Sequence, residues 1–320
     1  STVRDMQTEW IPVCPTVEEF VDEIGQLYAH CDEPYCSATM YAYERMYRHV
    51  RSFGLPRIIC GGGGDNAIYG CYPNYLYHFA QLKYEKKEAL LAREVECWIR
   101  NHSEPPWMKT PQTVEDFFSK RIDFGTAGLL KQDTDFLPPG LTIGSDTARE
   151  KMRFLPAMPS YGSYPRTAEV HEIRRSSLAT GLYVEGCIGS YYQVQEIAPF
   201  WDKSLYEFCW ALPDELKIQE GVNKHVMRVA TKGLVPDAIR LRKAKTGFNM
   251  PFDAWIRSPG LSGLMRDTFS SRLFRERGVW DAPQVIRVLE EHLAAKTSHA
   301  MSLWQIFNLE LWMRDWMDGQ

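Results

Sequence analysis

Four consecutive glycines, Gly61-Gly62-Gly63-Gly64, restrict this chain more than any other stretch of its sequence. Glycine disfavours the interior of both helix and strand, so the run has to be a loop. On its N-terminal side, Arg57-Ile58-Ile59-Cys60 is a short apolar, β-branched stretch that predicts a buried strand. On its C-terminal side come Asp65-Asn66 and then Tyr69, Tyr75, Tyr77 and Phe79, which predict a helix. Strand, glycine loop and helix in this order make a phosphate-handling geometry. Backbone N–H groups approach an anion where no Cβ intervenes, and the helix N-terminus adds positive potential. The same residues also describe a tight turn with Asp65 as a helix cap, and the loop alone does not separate the two readings. The chain has no Gly-Lys-Ser/Thr, so this is no Walker A loop. It has no GxGxxG within a βαβ unit, which sets a dinucleotide site aside.

Most of the remaining sequence reads as helix. Thr16-Val17-Glu18-Glu19 is a capping box, followed by Phe20, Ile24 and Leu27 at helical spacing. After a break at Asp32-Glu33-Pro34, a second helix is expected over 37–52, with Gly54 at its C′ position. Residues 83–101 predict one exposed charged helix with Leu90, Leu91 and Trp98 on its inner side. Residues 104–165 are loop-rich and interrupted by a short helix over 113–121. Helices are expected again over 168–181, 203–211, 223–232, 283–295 and 300–317, with Pro236 at an N1 position. The Gly- and Tyr-rich stretch 182–195 is ambiguous.

Composition removes several function classes. With 320 residues, 44% hydrophobic and 24% charged, the chain is an ordinary globular one with room for a large core. Lys and Arg number 37 against 41 Asp and Glu, a net charge of −4, which leaves no footprint for nucleic acid or an anionic membrane. No apolar run reaches the length of a membrane span. The eight cysteines are scattered without a CxxC pair, which suggests a reducing, cytoplasmic setting. The polar start at Ser1 lacks a secretory h-region and an initiator Met, so the numbering is expected to begin inside a longer polypeptide.

Other candidate chemistry is sparse. Arg240, Arg242, Lys243 and Lys245 precede Thr246-Gly247-Phe248, a density of cations that suits a polyphosphate or, equally, a solvated helix end. The histidines form no HExxH, and His30, Cys31 and Cys36 lack a second pair at zinc-finger spacing. Trp304, Phe307, Leu311, Trp312 and Trp316 lie at helical spacing and are expected in the core. Pro199-Phe200-Trp201-Asp202 reads on its own as a turn.

The order of these segments resembles the synthetase domain of the asparagine synthetase family. Asp32-Glu33-Pro34 is followed by the strand, by GGGGDN and by a Gly–Tyr pair. Pro199-Phe200-Trp201-Asp202 is similar to the family's Pro-Phe-Leu-Asp, and Leu212-Pro213…Lys217 follows it. Then come Lys224-His225-Val226-Met227-Arg228, Leu234-Val235-Pro236 and Arg242-Lys243-Ala244-Lys245-Thr246-Gly247-Phe248, with Trp255 and a closing helix from Trp304 to Trp312. The resemblance covers roughly 30–85 and 195–317 and leaves out 86–165.

The resemblance implies an ATP-dependent, amide-forming ligase. A carboxylate, small-molecule or peptide, is activated through an acyl-adenylate, and ammonia or another amine attacks it. It implies a helix-dominated α/β fold of the ATP-pyrophosphatase type, with a parallel sheet incomplete in this chain. The implied segments are a partial nucleotide-binding part over 1–103, a variable region over 104–165 and a helical synthetase part over 166–320. Lys245 matches the catalytic lysine, Asp65 a Mg²⁺ ligand and Tyr72 the tyrosine that pairs with a carboxylate; the position matching that carboxylate is Gln195, with Glu196 beside it as the candidate. Gly61, Gly62, Gly63, Gly64 and Arg242 would meet the ATP.

Gly62 and Asn66 stand where the family carries carboxylates, as in some amide-forming relatives such as lasso-peptide cyclases. The family's Ser-Gly-Gly-x-Asp-Ser ATP loop occurs nowhere in the sequence, and no Cys-initiated glutaminase part precedes it. Both are expected from an upstream segment or a separate chain. The alternative is a non-catalytic relative that binds a nucleotide or a protein partner. A weaker third reading is a helical scaffold with a basic contact segment.

Overall fold

A computed structural model describes residues 8–131, 159–175, 177–244 and 247–319, and the account below concerns these. Lys245 and Thr246, and residues 132–158 of the variable region, lie outside them. The Thr16 capping box forms with both of its bonds: the Glu19 N–H donates to Thr16 Oγ1 (3.2 Å), and the Thr16 N–H donates to Glu19 Oε2 (2.9 Å). It starts α1 (Val17–Glu23), which tightens into a 3₁₀ segment over Ile24–His30. Helix α2 (Thr39–Ser52) ends as expected, with Gly54 at φ +71° and its N–H on the Arg51 carbonyl.

Strand β1 (Arg57–Ile59) follows, then a four-residue helix α3 (Gly64–Ala67) that begins within the glycine run itself. Tyr69 is not part of the helix expected after the loop. It sits at φ +56° between α3 and α4 (Tyr72–Tyr84). The single charged helix expected over 83–101 is interrupted as well. Lys86 has φ +58°, and α5 (Glu88–Asn101) starts anew beyond it. Helix α6 (Pro111–Arg121) leads into a small antiparallel hairpin of β2 (Ile122–Asp123) and β3 (Leu129–Leu130).

The ambiguous Gly/Tyr-rich stretch is helix followed by strand. Helix α7 (Tyr164–Arg175) gives way to α8 (Ser177–Tyr191), and the chain then returns as β4 (Gln195–Ile197). A Cβ on Gly189 would lie 2.9 Å from the Val194 carbonyl oxygen, so this tight exit from α8 needs glycine. The remaining helices are α9 (Lys203–Ala211), α10 (Asp214–Lys217), α11 (His225–Ala230), α12 (Asp237–Arg240) and α13 (Phe252–Ile256). They are followed by α14 (Pro259–Ser270), α15 (Arg272–Glu276), α16 (Ala282–Leu293) and α17 (Ala300–Trp316). Helix α11 is shorter than the 223–232 expected, and Pro236 is the N-cap of α12 rather than its first residue.

The main core joins α1, α2, α8 and the C-terminal helices, with Phe20, Tyr41, Val184, Leu261, Phe269 and Phe307 fully buried. The second core surrounds Trp98, between α4, α5 and α6. Trp304 and Phe307 are core as expected, but Trp316 is 51% exposed. The fold is a helix-dominated α/β one with a small parallel sheet, β1 beside β4. None of its described helices is long and apolar enough to cross a membrane.

Candidate active site

Strands β1 and β4 run parallel, with Arg57 opposite Gln195, Ile58 opposite Glu196 and Ile59 opposite Ile197. The pairing continues one residue further, through the Cys60 N–H on the Ile197 carbonyl (2.9 Å). Ile58 packs against the main core, whereas Ile59 and Ile197 are exposed, so the strand is less buried than its composition predicts. The glycine loop leaves the C-terminal end of β1, and Pro199-Phe200-Trp201 leaves the same end of β4.

The two exits pack on each other. A Cβ on Gly63, at φ +85°, would lie 2.9 Å from the Trp201 ring, and one on Gly64 would lie 3.2 Å from Phe200. Gly62 faces Cys60 Sγ and Glu196 Oε1. Gly61 meets nothing within 4 Å. Several loop N–H groups already have partners in the chain. That of Gly62 donates to Cys60 Sγ (3.2 Å), that of Gly64 to Gly61 O, and those of Asn66 and Ala67 to Gly63 O. The aromatic shelf of Phe200 and Trp201 is therefore one physical reason for glycines here. Gly63 is the N-cap of α3, and Asp65 lies in its first turn.

Glu196, in the middle of β4, holds two donors. The Tyr47 hydroxyl donates to its Oε2 and the Cys60 thiol to its Oε1. Burial, with the Glu196 charge, pushes the Cys60 thiol up to about 11, which keeps it a donor at neutral pH. Glu185 of α8 also faces this carboxylate. Burial and then the Glu196 charge push Glu185 up to about 7, against a lowering bond from Tyr43. Both carboxylates line a groove of about 540 Å³ with Tyr47, Ser190, Gln193 and Gln195. Two carboxylates of which one titrates near neutrality can hold a cation or take up a proton.

The other expected site residues fall in different places. Tyr72 does not reach Glu196. Its hydroxyl donates to the Met108 carbonyl, and its ring sits in the second core, 5.8 Å from Trp98 and 5.6 Å from His102. Tyr47 occupies the position at Glu196 that Tyr72 was expected to take. Asp65 Oδ1 is ion-paired with Lys224 Nζ at 2.6 Å. Gly70 is pressed against this pair, since a Cβ there would lie 2.1 Å from Asp65 Oδ1. Arg242 is exposed near the half-buried Arg228, whose guanidinium is held below its usual value by desolvation and by Arg240 and Arg242. Arg228 and Arg240 clasp each other's backbone: Arg228 donates to Arg240 O and Arg240 to Arg228 O, both at 2.7 Å. Lys243 bonds Asn101, and Lys245 lies outside the described residues.

Sequence reasoning missed Tyr47, Glu185 and Cys60, and it quoted Lys224 and Trp201 without a role. Trp201 and Lys224 lie within motifs that carried the resemblance. Tyr47 is separated from Glu196 by 149 positions and has no local signal.

With this geometry in hand, comparison with known proteins defines the class. The sequence model of the asparagine synthase family matches residues 1–314, so the chain belongs to that family. Among curated proteins it is similar to asparagine synthetase [glutamine-hydrolyzing] 1 of Bacillus subtilis (strain 168), 26% identical over 117 residues. That alignment covers 36% of this chain and 17% of the relative. It is also 29% identical over 114 residues to a putative asparagine synthetase [glutamine-hydrolyzing] of Mycobacterium tuberculosis (strain ATCC 25618 / H37Rv), again 36% of this chain and 17% of that protein. The matched segment is thus a small part of each relative.

Proposed function

We propose that this chain forms amide bonds at the expense of ATP, activating a small-molecule or peptide carboxylate as an acyl-adenylate that ammonia or another amine then attacks. Family membership supports ATP-dependent amide formation in general. The finer reading is carried by Glu196, fixed by Tyr47 and Cys60 next to the glycine loop in a groove with Glu185. In open α/β sheets, ligands bind in the crevice outside the carboxyl ends of the strands. An amine attacking an acyl-adenylate forms the C–N bond, expels AMP and must lose a proton, which a carboxylate held in place accepts. In this reading Glu196 is the base, Tyr47 orients it, and Lys245 with Arg242 stabilises charge on the leaving pyrophosphate.

The ATP-pyrophosphatase-type fold, the cytoplasmic location, and an upstream or separate polypeptide with the ATP loop and glutaminase belong to the same proposal. Among the described residues no group of three or more His, Cys, Asp and Glu is arranged to hold a metal ion, and Asp65 is already paired with Lys224. Magnesium enters this reading only as part of the ATP·Mg²⁺ substrate.

The test separates two half-reactions in the protein as isolated from its source. Glu196→Gln is expected to keep carboxylate-dependent ATP–pyrophosphate exchange and to lower amide formation by about 10²-fold or more. Lys245→Ala is expected to lose both. Unchanged turnover in either variant removes that residue from the mechanism. A second reading, a non-catalytic nucleotide- or partner-binding relative, is favoured by the Asp65–Lys224 pair together with Gly62 and Asn66. Calorimetric binding of ATP·Mg²⁺ without turnover of any carboxylate in a panel supports that reading instead.

A further inference from the structure

We propose that Glu169, Tyr206 and Trp201 are positioning residues, a buried relay that sets the conformation of the glycine loop. The chain of contacts is continuous. Glu169 of α7 is 3% exposed, and its Oε1 accepts a bond from the Tyr206 hydroxyl of α9. The Tyr206 ring stacks on Trp201, with centroids 5.4 Å apart and planes 20° from parallel. Trp201 in turn is the surface against which Gly63 is pressed at φ +85°, with only hydrogen-sized room at 2.9 Å. The next loop residue, Gly64, lies on Phe200, the neighbour of Trp201. Displacing the indole therefore removes the surface against which Gly63 packs.

The far end of the relay lies among buried charged groups. Lys217 is fully buried, its Nζ has no hydrogen-bond partner among the described residues, and it lies 4.2 Å above the Tyr69 ring. Glu169 and Asp214 are the carboxylates that face it, and Asp214 is tied to the Tyr69 hydroxyl (2.8 Å). Arg166 also faces Glu169. Glu169 thus fixes Tyr206, Tyr206 fixes Trp201, and Trp201 fixes the loop that borders Glu196. The inference concerns the loop's conformation, and it rests on the proposed function only for its effect on turnover.

Hydrogen exchange read by mass spectrometry on a peptide spanning 60–68 tests the relay without any assay of activity. Tyr206→Leu, which removes both the ring and its bond, is expected to speed loop exchange about tenfold while exchange across α14–α17 stays unchanged. Tyr206→Phe, which keeps the stack and loses the bond, is expected to give a smaller rise. Glu169→Gln, which keeps an acceptor for Tyr206, is expected to exchange as the unsubstituted protein does. Phe208→Ala, on the exposed side of the same helix, is the control and should leave the loop protected. If loop exchange is unchanged in folded Tyr206→Leu and Tyr206→Phe, or if Phe208→Ala raises it equally, the relay is overturned. Should Tyr206→Leu fail to fold, the comparison of Tyr206→Phe with Phe208→Ala decides.

Discussion

At the residue scale, the glycine run is four positions with different demands. Gly63 combines φ +85° with a side-chain direction filled by Trp201, so Gly63→Ala meets both a strained backbone and a clash. Thermal unfolding should show a loss on the order of 1–3 kcal/mol for Gly63→Ala. Gly61→Ala meets nothing within 4 Å and should stay close to the unsubstituted protein. Equal losses at both positions would mean that the aromatic shelf is not what selects glycine.

Two carboxylates give a pH signature at the same scale. Glu169 and Glu185 are both pushed up to about 7 from an ordinary value near 4.5, in each case chiefly by burial. Glu169 faces Tyr206, Lys217, Asp214 and Arg166, and Glu185 faces Glu196 and Tyr43. A raised folded-state pKa means that the folded protein binds more protons than the unfolded chain. Their contribution is therefore full below about pH 4.5 and is lost as pH rises through about 7. Glu185→Gln, which removes one such group, should flatten the fall in unfolding free energy between pH 5.5 and pH 8, by an amount on the order of 1 kcal/mol. A variant as steep as the parent would place the titration elsewhere.

At the scale of elements, local signals were readable wherever the physics was local. The Thr16–Glu19 box and the Gly54 stop depend on residues a few positions apart, and both formed where expected. Thr16→Ala should cost about 1 kcal/mol, read as a lower urea midpoint at unchanged slope. A midpoint equal to the parent's would deny the cap any role in stability.

Elements whose form depends on distant packing were not readable. Helix α8 is rich in Gly and Tyr, which are weak helix formers, yet Val184 and Ile188 on it are fully buried in the main core. Its exit through Gly189 answers to the Val194 carbonyl, which appears in no helix or strand pattern. The break at Lys86 was hidden because charged residues continue across it.

At the scale of the whole molecule, motif order conveyed the family, while the site itself came from pairings far apart in sequence. Glu196 was legible from its place near Pro199-Phe200-Trp201-Asp202, but its partner Tyr47 lies on α2 and matches no motif. Asp65 was legible and its pairing with Lys224 was not, because that contact closes only when α11 docks beside α3. Tyr72 shows the opposite failure, a position matched by order and then carried into the second core by α4.

The central claim is that a carboxylate is activated by ATP and then joined to an amine at Glu196. Its most direct test is Glu196→Gln assayed in parallel for carboxylate-dependent ATP–pyrophosphate exchange and for amide formation. Retained exchange with amide formation reduced about 10²-fold or more is the predicted result. Amide formation at the parent's rate, or no carboxylate-dependent exchange in the parent protein itself, would contradict it.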